Sequence, residues 1–449
     1  MRQLFGTDGM RGVAGEFPLD PATTFAVGVA LANWVRDHPA SGAVTIDPEV
    51  VIGMDTRESG PLIAGYVAGG LASLGVKARF AGLITTPGIA HVTRTGQFAA
   101  GVMISASHNP YRDNGIKIID HSGFKLPDED EHILERDIFA FLETGVAAKA
   151  ATLMVDEGLD REYIEHLAAT LPTGLAGMQI IVDAAHGAAS YLAPALFERL
   201  GAEIECIGCA PDGRNINLNC GSLHLEGLRE QVIATGADVG VAFDGDADRA
   251  LFVSHSGKTI DGDAVLLVTA LRLHSAGRLT EVIATVMSNL GLERALGRHG
   301  IGLVRTPVGD KYVLQEMLRR KAPLGGEQSG HIIFRDYATT GDGLLTALRV
   351  FEAVRESGQD LDALTNELET YPQLLVNVRV KNKRPLEELN EANREIRTAE
   401  AEFGDAGRVL VRFSGTEPLA RVMVEGPDIK RVEHFANSIA AAIQADLGD

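Results

Sequence analysis

Apolar and polar residues follow one repeated order in most of the chain: an apolar run, a helical segment and a second apolar run. The paired apolar runs are residues 50–54 and 76–80, 179–182 and 202–206, and 282–286 and 301–305. A glycine ends each helical segment, at Gly75, Gly201 and Gly300, where a left-handed residue is often needed. Because the apolar runs are nearly continuous, they predict strands of parallel-type sheets that helices cover on both faces.

The C-terminal part of the chain has a different pattern. Residues 374–380 alternate apolar and polar side chains, as a half-exposed strand does, and 408–413 and 420–424 predict two more strands. Amphipathic helices are predicted at 385–403 and 429–447. Together these segments predict a small α+β domain with its own core.

Four domains are expected from these patterns. The length of 449 residues alone suggests about three domains of roughly 100–200 residues each. The repeats and the separate C-terminal pattern favour an α/β protein with three similar α/β domains, whose sheets are mixed but mostly parallel, and a smaller C-terminal α+β domain. We expect these domains at residues 1–151, 152–256, 257–370 and 371–449. Tyr371-Pro372 supports the last boundary because it breaks the preceding helix.

The chain is acidic, with 61 Asp and Glu residues against 41 Lys and Arg residues and a net charge of −20. Such a surface repels the phosphates of nucleic acids, so we expect no nucleic-acid partner. No run approaches the roughly 18 apolar residues of a membrane span, and the N-terminus has no apolar signal core. We therefore expect a soluble, cytoplasmic protein with no membrane partner. An anionic substrate would need cations close to its binding site.

The three cysteines are too few for a disulfide framework, which agrees with a reducing compartment. Cys206-x2-Cys209, followed by Cys220-x3-His224, has a spacing that a zinc site could use. The alternative is that Cys206 ends an apolar strand and acts as a small hydrophobic residue. The pattern favours this second interpretation.

Glycine-studded polar loops carry the candidate chemistry. The first loop, residues 104–117, follows an apolar strand, and open α/β sheets place their chemistry at the carboxyl ends of strands. Ser107 is a candidate nucleophile, with His108 and Lys117 as proton carriers or phosphate ligands. The alternative is an ordinary Asn-Pro turn whose hydroxyls bond to the backbone.

The second loop contains three alternate aspartates, Asp244, Asp246 and Asp248, directly after an apolar strand. Carboxylates spaced in this way can converge on Mg²⁺ or Ca²⁺. An EF-hand is excluded because its sixth and twelfth positions, which require glycine and glutamate, hold Arg249 and His255. A solvated acidic turn is the alternative, but three crowded carboxylates would repel one another without a cation.

The third loop suits a ligand with several hydroxyl groups. It presents Glu327, Ser329 and His331 on a turn that three glycines make flexible. An ordinary surface turn is the alternative. An upstream polar segment has a glycine, where a ligand can come close to the backbone, and the cation of a lysine. Its candidate binding residues are Thr306, Gly309, Asp310 and Lys311.

The fourth loop resembles an anion-binding nest, in which backbone amides, hydroxyls and guanidinium groups surround phosphate oxygens. Its candidate residues are Arg412, Ser414, Gly415, Thr416 and Arg421. Arginines that only solvate a strand edge are the alternative. Arg11, on a glycine-rich turn near the N-terminus, supplies a further cation.

From end to end the chain resembles the α-D-phosphohexomutases, and within them the glucosamine branch more than the mannose/glucose branch. The matching motifs are FGTDGMRG at 5–12, SASHNP at 105–110, DGDADR at 244–249, GEQSGH at 326–331 and SGTEP at 414–418. The glucosamine branch is favoured mainly by Gln328. Two residues depart from the usual pattern: Ser105, where many relatives have threonine, and Phe413, where proline or tyrosine is usual.

The resemblance implies four domains around one central cleft and a phosphorylated Ser107 that shares one Mg²⁺ with the three aspartates. Ser107 would pass its phosphoryl group to glucosamine 6-phosphate and so form a 1,6-bisphosphate, which would act as an intermediate or activator. The bisphosphate would return its other phosphoryl group to Ser107 and leave glucosamine 1-phosphate. That product would feed UDP-N-acetylglucosamine and cell-wall precursor synthesis. Proton transfer and charge stabilisation would come from five candidates: Lys117, Arg11, His108, Arg249 and His331. Substrate would bind to the residues named in the third and fourth loops.

Three alternatives stay open from the sequence. The first is a phosphomannomutase/phosphoglucomutase of broad sugar specificity, and the second is a sugar-phosphate-binding or sensor protein without catalysis. The third is an acidic, calcium-dependent interaction module. The oligomeric state is also open, with a homodimer as the candidate assembly.

Overall fold

The computed structural model describes residues 4–6, 8–39, 47–414 and 418–447. They form two compact units. The first unit comprises Met1–Val286 and Val304–Thr365, and the second comprises Met287–Leu303 and Asn366–Asp449. The segment 287–303, which the sequence analysis assigns to the third domain, therefore groups with the C-terminal residues.

The first domain is a five-stranded sheet with helices. Its elements are β1 (Met10–Val13), α1 (Pro21–Asp37), β2 (Glu49–Met54), α2 (Gly60–Ser73), β3 (Lys77–Leu83), α3 (Thr86–Thr95), β4 (Ala100–Ile104), β5 (Asp113–Asp120) and α4 (Asp128–Leu142). The strand order is β1-β5-β4-β2-β3. Strand β2 runs parallel to β3 and β4, whereas β5 is antiparallel to β4 and β1. Strand β4 is buried along its whole length, so the loop after it starts from the interior of the domain.

The second domain repeats this plan. Its elements are α5 (Gly158–Ala169), β6 (Gln179–Asp183), α6 (Ala189–Arg199), β7 (Glu203–Ile207), α7 (Glu226–Thr235), β8 (Val239–Phe243), β9 (Ala250–Ser254) and β10 (Thr259–Ile260). The strand order is β10-β9-β8-β6-β7. Strand β6 is parallel to β7 and β8, and β9 is antiparallel to β8 and β10. The fully buried β8 again leads directly into a polar loop.

The third sheet is smaller. The elements of this region are α8 (Gly262–Ser275), β11 (Glu281–Thr285), α9 (Leu290–Arg298), β12 (Gly302–Thr306), α10 (Asp310–Arg320), β13 (Leu324–Gly326), β14 (Ile332–Phe334), α11 (Gly343–Ser357) and α12 (Leu361–Leu364). Its strand order is β12-β11-β13-β14. Strand β13 pairs in parallel with β11 and antiparallel with β14.

The strand–helix–strand repeats are confirmed at all three predicted places. The glycines that end their helices, Gly75, Gly201 and Gly300, have φ angles of 74°, 89° and 73°. These left-handed angles explain the choice of glycine, because a Cβ atom disfavours them. The sheets are mixed, as predicted, although antiparallel pairings are as frequent as parallel ones in the first two.

The C-terminal domain is the predicted α+β domain, in which strands pair only antiparallel. Its elements are β15 (Gln373–Arg379), α13 (Asn390–Phe403), β16 (Arg408–Phe413), β17 (Leu419–Glu425) and α14 (Ile429–Leu447). The strand order is β15-β17-β16. Helix α13 begins five residues after the predicted start at 385, because Pro385 and Leu389 have extended backbone on either side of a short 3₁₀ turn.

Helices α13 and α14 cover one face of this sheet with apolar side chains, among them Phe403, Phe435 and Ile439. Their outer faces are polar, as the amphipathic pattern predicts. Within the part of the chain that the structure describes, no helix is both long enough and apolar enough to cross a membrane.

Candidate active site

Two polar loops of the first unit lie against each other, one after β4 and one after β8. The loop after β8 also contacts the start of α3, where Thr86 N–H donates to the carbonyl of Asp246 at 3.0 Å. Gly245 is close to the other loop, since a Cβ atom there would lie 2.4 Å from the carbonyl oxygen of Ser107. This approach requires glycine at position 245. The two loops that the sequence analysis selected separately therefore form one site.

Ser107 is the centre of this site. Its side chain is buried, and its Oγ donates a hydrogen bond of 2.6 Å to Oδ2 of Asp244. The same Oγ lies 3.2 Å from Nδ1 of His108. The backbone of Ser107 is left-handed, with a φ of 52°, which is uncommon for a residue with a side chain. Such strained residues cluster at functional sites, and here the strain directs a hydroxyl group at a carboxylate.

Three aspartates form a compact acidic cluster beside Ser107. Asp244, Asp246 and Asp248 are all buried and can place one oxygen each within 4.8 Å of one another. Oδ1 of Asp246 is buried and accepts no hydrogen bond, and the buried Oδ1 of Asp248 has His331 Nδ1 at 3.5 Å and Arg249 Nε at 3.7 Å. Burial and the other two carboxylates raise the pKa of Asp244 well above its ordinary value. A buried carboxylate oxygen without a hydrogen bond is suited to a hard divalent cation, so these residues fit a metal ion.

The cysteines form no comparable cluster. Among the described residues, the aspartate cluster is the one group of three or more His, Cys, Asp or Glu side chains close enough to hold a metal ion. The three cysteines are free thiols, and Cys209 Sγ donates to the carbonyl of Ile207 at 3.3 Å. This contact is the behaviour expected of a half-buried small side chain.

Lys117 supplies a buried positive charge to the acidic cluster. It lies on β5, and its Nζ is 2.8 Å from Asp246, 3.0 Å from Asp8 and 3.7 Å from Asp248. Burial alone would lower the pKa of Lys117, but these carboxylates raise it well above its ordinary value. Lys117 is therefore a permanent cation in this arrangement.

A cavity of about 430 Å³ opens next to this cluster within the first unit. It is lined by Leu4, Gly6, Asp8, Gly9, Arg11, His108, Lys125, Asp248, Arg249, Val308, Gly309, Asp310, Lys311, Tyr312, Glu327 and His331. Four of these side chains are Lys or Arg and four are Asp or Glu, so their formal charges cancel. A divalent cation in the aspartate cluster would make the cavity positive, which a phosphate ligand requires.

The two histidines of the cavity differ in their surroundings. Burial and the charges of Arg249 and Arg11 lower the pKa of His108, which keeps its ring neutral at pH 7. His331 is buried, its Nδ1 lies 3.5 Å from Asp248, and its Nε2 accepts from Gly341 N–H at 3.1 Å. The neutral ring thus carries its proton on Nδ1. Burial opposes a second proton on His331, but Asp248 raises the pKa of the ring above its ordinary value.

Sequence reasoning missed a group of ion pairs in the wall of this cavity. Lys125 binds Asp8 and also Asp310, the latter at 2.6 Å. Arg11 Nη2 pairs with Asp8 at 2.6 Å. Burial would raise the pKa of Asp8, but Lys117, Lys125 and Arg11 hold it well below its ordinary value. Asp8 lies within the FGTDGMRG motif, which was a usable signal, whereas Lys125 has no motif around it.

The residues predicted to bind substrate in the third loop divide into two groups. Glu327 lines the cavity, and its Oε1 accepts from Gly309 N–H at 3.2 Å. Lys311 also lines the cavity and pairs with Asp128 at 3.0 Å. Thr306 is buried at the end of β12, with its hydroxyl 3.0 Å from the carbonyl of Pro307. Ser329 Oγ is buried without a hydrogen bond, outside the lining of the cavity.

Gln328 does not point at the cavity. Its Nε2 donates to Oδ2 of Asp261 at 3.1 Å, and its carbonyl accepts from Gly262 N–H at 3.0 Å. Asp261 is the N-cap of α8. The side chain that favoured the glucosamine branch in the sequence therefore holds the loop to a helix end.

The fourth loop belongs to the second unit. Arg412 on β16 is the register partner of Arg421 on β17, so two guanidinium groups lie side by side. Burial and the charge of Arg421 lower the pKa of Arg412. Ser414 N–H donates to the carbonyl of Leu419 at 2.8 Å, and Lys383 Nζ, a cation that the sequence analysis did not select, lies 2.5 Å from the carbonyl of Ser414. The predicted ligands Gly415 and Thr416 lie outside the described residues.

Four family models of phosphoglucomutase/phosphomannomutase match consecutive parts of the chain. The models for α/β/α domains I, II and III match residues 2–144, 161–257 and 261–371, and the model for the C-terminal domain matches residues 375–442. The chain belongs to the phosphoglucomutase/phosphomannomutase family. This membership confirms the α/β class and the phosphohexomutase resemblance.

Individual relatives cover the whole chain. A protein of Solibacter usitatus named phosphoglucosamine mutase is 58% identical over 450 residues, which is 100% of both chains. A family protein from Burkholderia thailandensis has the same fold, with a TM-score of 0.81, 24% identity and coverage of 100% of both chains. The N-acetylphosphoglucosamine mutase of Aspergillus fumigatus, solved with GlcNAc-6P and magnesium, has a TM-score of 0.65 and 18% identity and covers 99% of this chain and 96% of its own.

Proposed function

We propose that this chain is a phosphoglucosamine mutase, which interconverts glucosamine 6-phosphate and glucosamine 1-phosphate through a phosphorylated Ser107. The observation that carries the proposal is the placement of the Ser107 hydroxyl, 2.6 Å from Asp244 of the acidic cluster and 3.2 Å from His108, which lines the adjoining cavity. The full-length relative at 58% identity, named phosphoglucosamine mutase, supports the choice of sugar.

The reaction exchanges one phosphorus–oxygen bond for another in each half. In the first half, the bond between phosphorus and Ser107 Oγ breaks while a bond forms to a hydroxyl oxygen of glucosamine 6-phosphate, which makes the 1,6-bisphosphate. In the second half, the bisphosphate is turned round and returns its other phosphoryl group to Oγ. Each half consumes one sugar or serine hydroxyl and creates one, so no water and no nucleotide is needed.

Asp244, Asp246 and Asp248, together with the phosphoryl group on Ser107, would hold one metal ion. Their hard carboxylate oxygens favour Mg²⁺, which the Aspergillus fumigatus structure contains. When bound, Mg²⁺ supplies positive charge to the transferring phosphoryl group. Lys117 adds a permanent cation 2.8 Å from Asp246 and stabilises the crowded carboxylates.

His108 is the group suited to moving a proton. Its Nδ1, 3.2 Å from Ser107 Oγ, can exchange a proton with that oxygen. His331 lines the cavity with both ring nitrogens in contact with Asp248 and Gly341, so its role is positive charge near the substrate when the ring is protonated. Arg11, Arg249 and Lys311 would attract the substrate phosphates, and Glu327 would accept from sugar hydroxyls. The family resemblance assigns Arg412 and Arg421 to the phosphate that does not react.

Two competing functions are less well supported. A broad phosphomannomutase/phosphoglucomutase would share this chemistry, and Gln328 does not separate the two because it contacts Asp261. A binding protein without catalysis would not need Ser107 in a strained conformation beside three aspartates that can hold a metal ion. The cytoplasmic location and the homodimer expected from the sequence stay predictions.

The test is turnover of glucosamine 6-phosphate, glucose 6-phosphate and mannose 6-phosphate by wild type and by Ser107→Ala. Ser73→Ala is a matched control, because its hydroxyl bonds only to Gly70 within α2. We expect the highest kcat/KM with glucosamine 6-phosphate, loss of all turnover in Ser107→Ala, and wild-type rates in the control. A higher kcat/KM with mannose 6-phosphate would contradict the sugar assignment. Unchanged turnover in Ser107→Ala would contradict the phosphoserine.

A further inference from the structure

A buried arginine that no sequence motif singled out lies beneath the Ser107 loop. Arg57 follows β2, and its side chain is 1% exposed. Its guanidinium group donates to the carbonyls of four residues of the loop: Ser107 at 2.9 Å, Asn109 at 2.8 Å, Asp113 at 3.0 Å and Pro110. Its Nε donates to Oδ2 of Asp55 at 2.9 Å. All five N–H groups of the side chain are therefore used inside the protein.

These contacts are concentrated on the backbone of one loop. Four of the five acceptors are carbonyl groups of residues 107–113, which form the turn after β4 and end at Asp113, the first residue of β5. A buried carbonyl without a donor is costly, so the conformation of the loop depends on this guanidinium group. The flat fork of arginine can reach several carbonyls at fixed angles, which the rotating ammonium of lysine cannot do.

The amide of Ser107 is held by the same arrangement. Asp55, the ion-pair partner of Arg57, accepts from Ser105 Oγ at 2.6 Å. Ser105 Oγ in turn accepts from Ser107 N–H at 2.9 Å. Asn217, from the second domain, donates to the carbonyl of Ser107 at 2.9 Å. Both backbone polar groups of the strained serine thus have fixed partners, and Arg57 contacts one directly and the other through Asp55 and Ser105.

We propose that Arg57 is a positioning residue for phosphoryl transfer, which holds Ser107 in its left-handed conformation so that Oγ lies against Asp244 and His108. This inference rests on the proposed function, because it concerns the residue that would carry the phosphoryl group. Arg57 does not line the cavity, so it acts on the rate of transfer at Ser107 and not on the binding of the sugar phosphate.

The test compares Arg57→Lys and Arg57→Gln with Arg349→Gln. Arg349 is a matched control, since it is a buried arginine on α11 that donates to the carbonyl of Thr170 and pairs with Glu352, away from the serine loop. Each variant is assayed for kcat and KM with glucosamine 6-phosphate. The rate at which glucose 1,6-bisphosphate phosphorylates Ser107 is followed by intact mass. Thermal unfolding reports the folded fraction.

We expect Arg57→Gln to lower kcat and the phosphorylation rate by about 100-fold while KM changes by less than about threefold. Arg57→Lys keeps the charge beside Asp55, stays folded and loses about tenfold, so it decides the question where Arg57→Gln fails to fold.

The outcomes separate this inference from the proposed function. Wild-type kcat and phosphorylation rate in both Arg57 variants would overturn the positioning role. An equal loss of kcat in folded Arg349→Gln would also overturn it, because the effect would then be general to buried arginines. An inactive wild type with no phosphorylation at Ser107 would instead contradict the proposed function.

Discussion

Asp342 carries the clearest pH-dependent contribution to stability in the described structure. It is the N-cap of α11, with Oδ1 accepting from Leu345 N–H at 2.9 Å and Oδ2 accepting from Tyr163 OH at 2.9 Å. The side chain is buried, and burial raises the pKa of Asp342 to about 6 from an ordinary value of 3.8, although both hydrogen bonds oppose the shift. Replacement by asparagine keeps the shape and the cap but removes the charge.

The sign of the effect follows from the two pKa values. Because the folded pKa of Asp342 lies above the unfolded one, the folded state is not penalised below pH 3.8, and stability is lost as pH rises through about 6. The shift of about 2.2 pH units corresponds to a penalty of about 3 kcal/mol at pH 8 and about 0.6 kcal/mol at pH 4. Loss of the favourable charge at the helix N-terminus offsets up to about 1 kcal/mol. Asp342→Asn should therefore gain about 2 kcal/mol at pH 8.

Hydrogen exchange of the first turn of α11 measures this gain locally and does not require two-state unfolding of a multidomain chain. We expect exchange at Leu345 and Thr346, corrected for intrinsic rates, to slow by about 30-fold at pH 8 and by less than about threefold at pH 4. Tyr163→Phe, which removes one donor to the carboxylate, should speed exchange at pH 8. Equal protection of wild type and Asp342→Asn at pH 8, or the same gain at both pH values, would refute the reasoning.

Three further predictions concern the acidic cluster and the sugar loop. Lys117→Met removes the buried cation that Asp246, Asp248 and Asp8 share, so it should cost about 3–5 kcal/mol in unfolding free energy and abolish turnover. A stable, active variant would be inconsistent with the buried network. Chelation by EDTA should stop turnover, and added Mg²⁺ should restore it; full activity in EDTA would rule out the metal site. Asp246→Asn should raise the Mg²⁺ concentration that gives the half-maximal rate by at least about tenfold. Gln328→Ala should lose the hydrogen bond to Asp261 and about 1 kcal/mol of unfolding free energy. The ratio of kcat/KM for glucosamine 6-phosphate to that for mannose 6-phosphate should stay within about twofold of the wild-type ratio, and a larger change would show that Gln328 contacts the sugar.

Much of the fold follows from local sequence patterns. The apolar runs, the glycines that end helices and the alternating C-terminal strands depend on neighbours within one element, so periodicity alone predicts them. The loops after β4 and β8 were also predictable, because chemistry collects at the carboxyl ends of such strands. What these patterns cannot predict is the grouping of α9 with the C-terminal residues, which depends on contacts between distant segments.

The support around the site was less predictable. Lys125 and Asp310 are 185 residues apart in sequence, and Thr86 and Asp246 are 160 apart, yet both pairs are in hydrogen-bond contact. Arg57 has no motif that marks it as part of the serine loop. The direction of a side chain is set by tertiary packing, as with Gln328, which lies in a recognised motif but donates to Asp261. Motifs mark the residues proposed to react, and only the structure identifies the groups that hold them.

Transfer of labelled phosphorus from Ser107 to the substrate tests the central claim most directly. The enzyme would be labelled with ³²P at Ser107, freed of excess label and mixed with unlabelled glucosamine 6-phosphate and Mg²⁺, and the products separated within one turnover. The account predicts that the label leaves the protein and appears in glucosamine 1,6-bisphosphate. Label that stays on the protein, or appears only as inorganic phosphate, would contradict it.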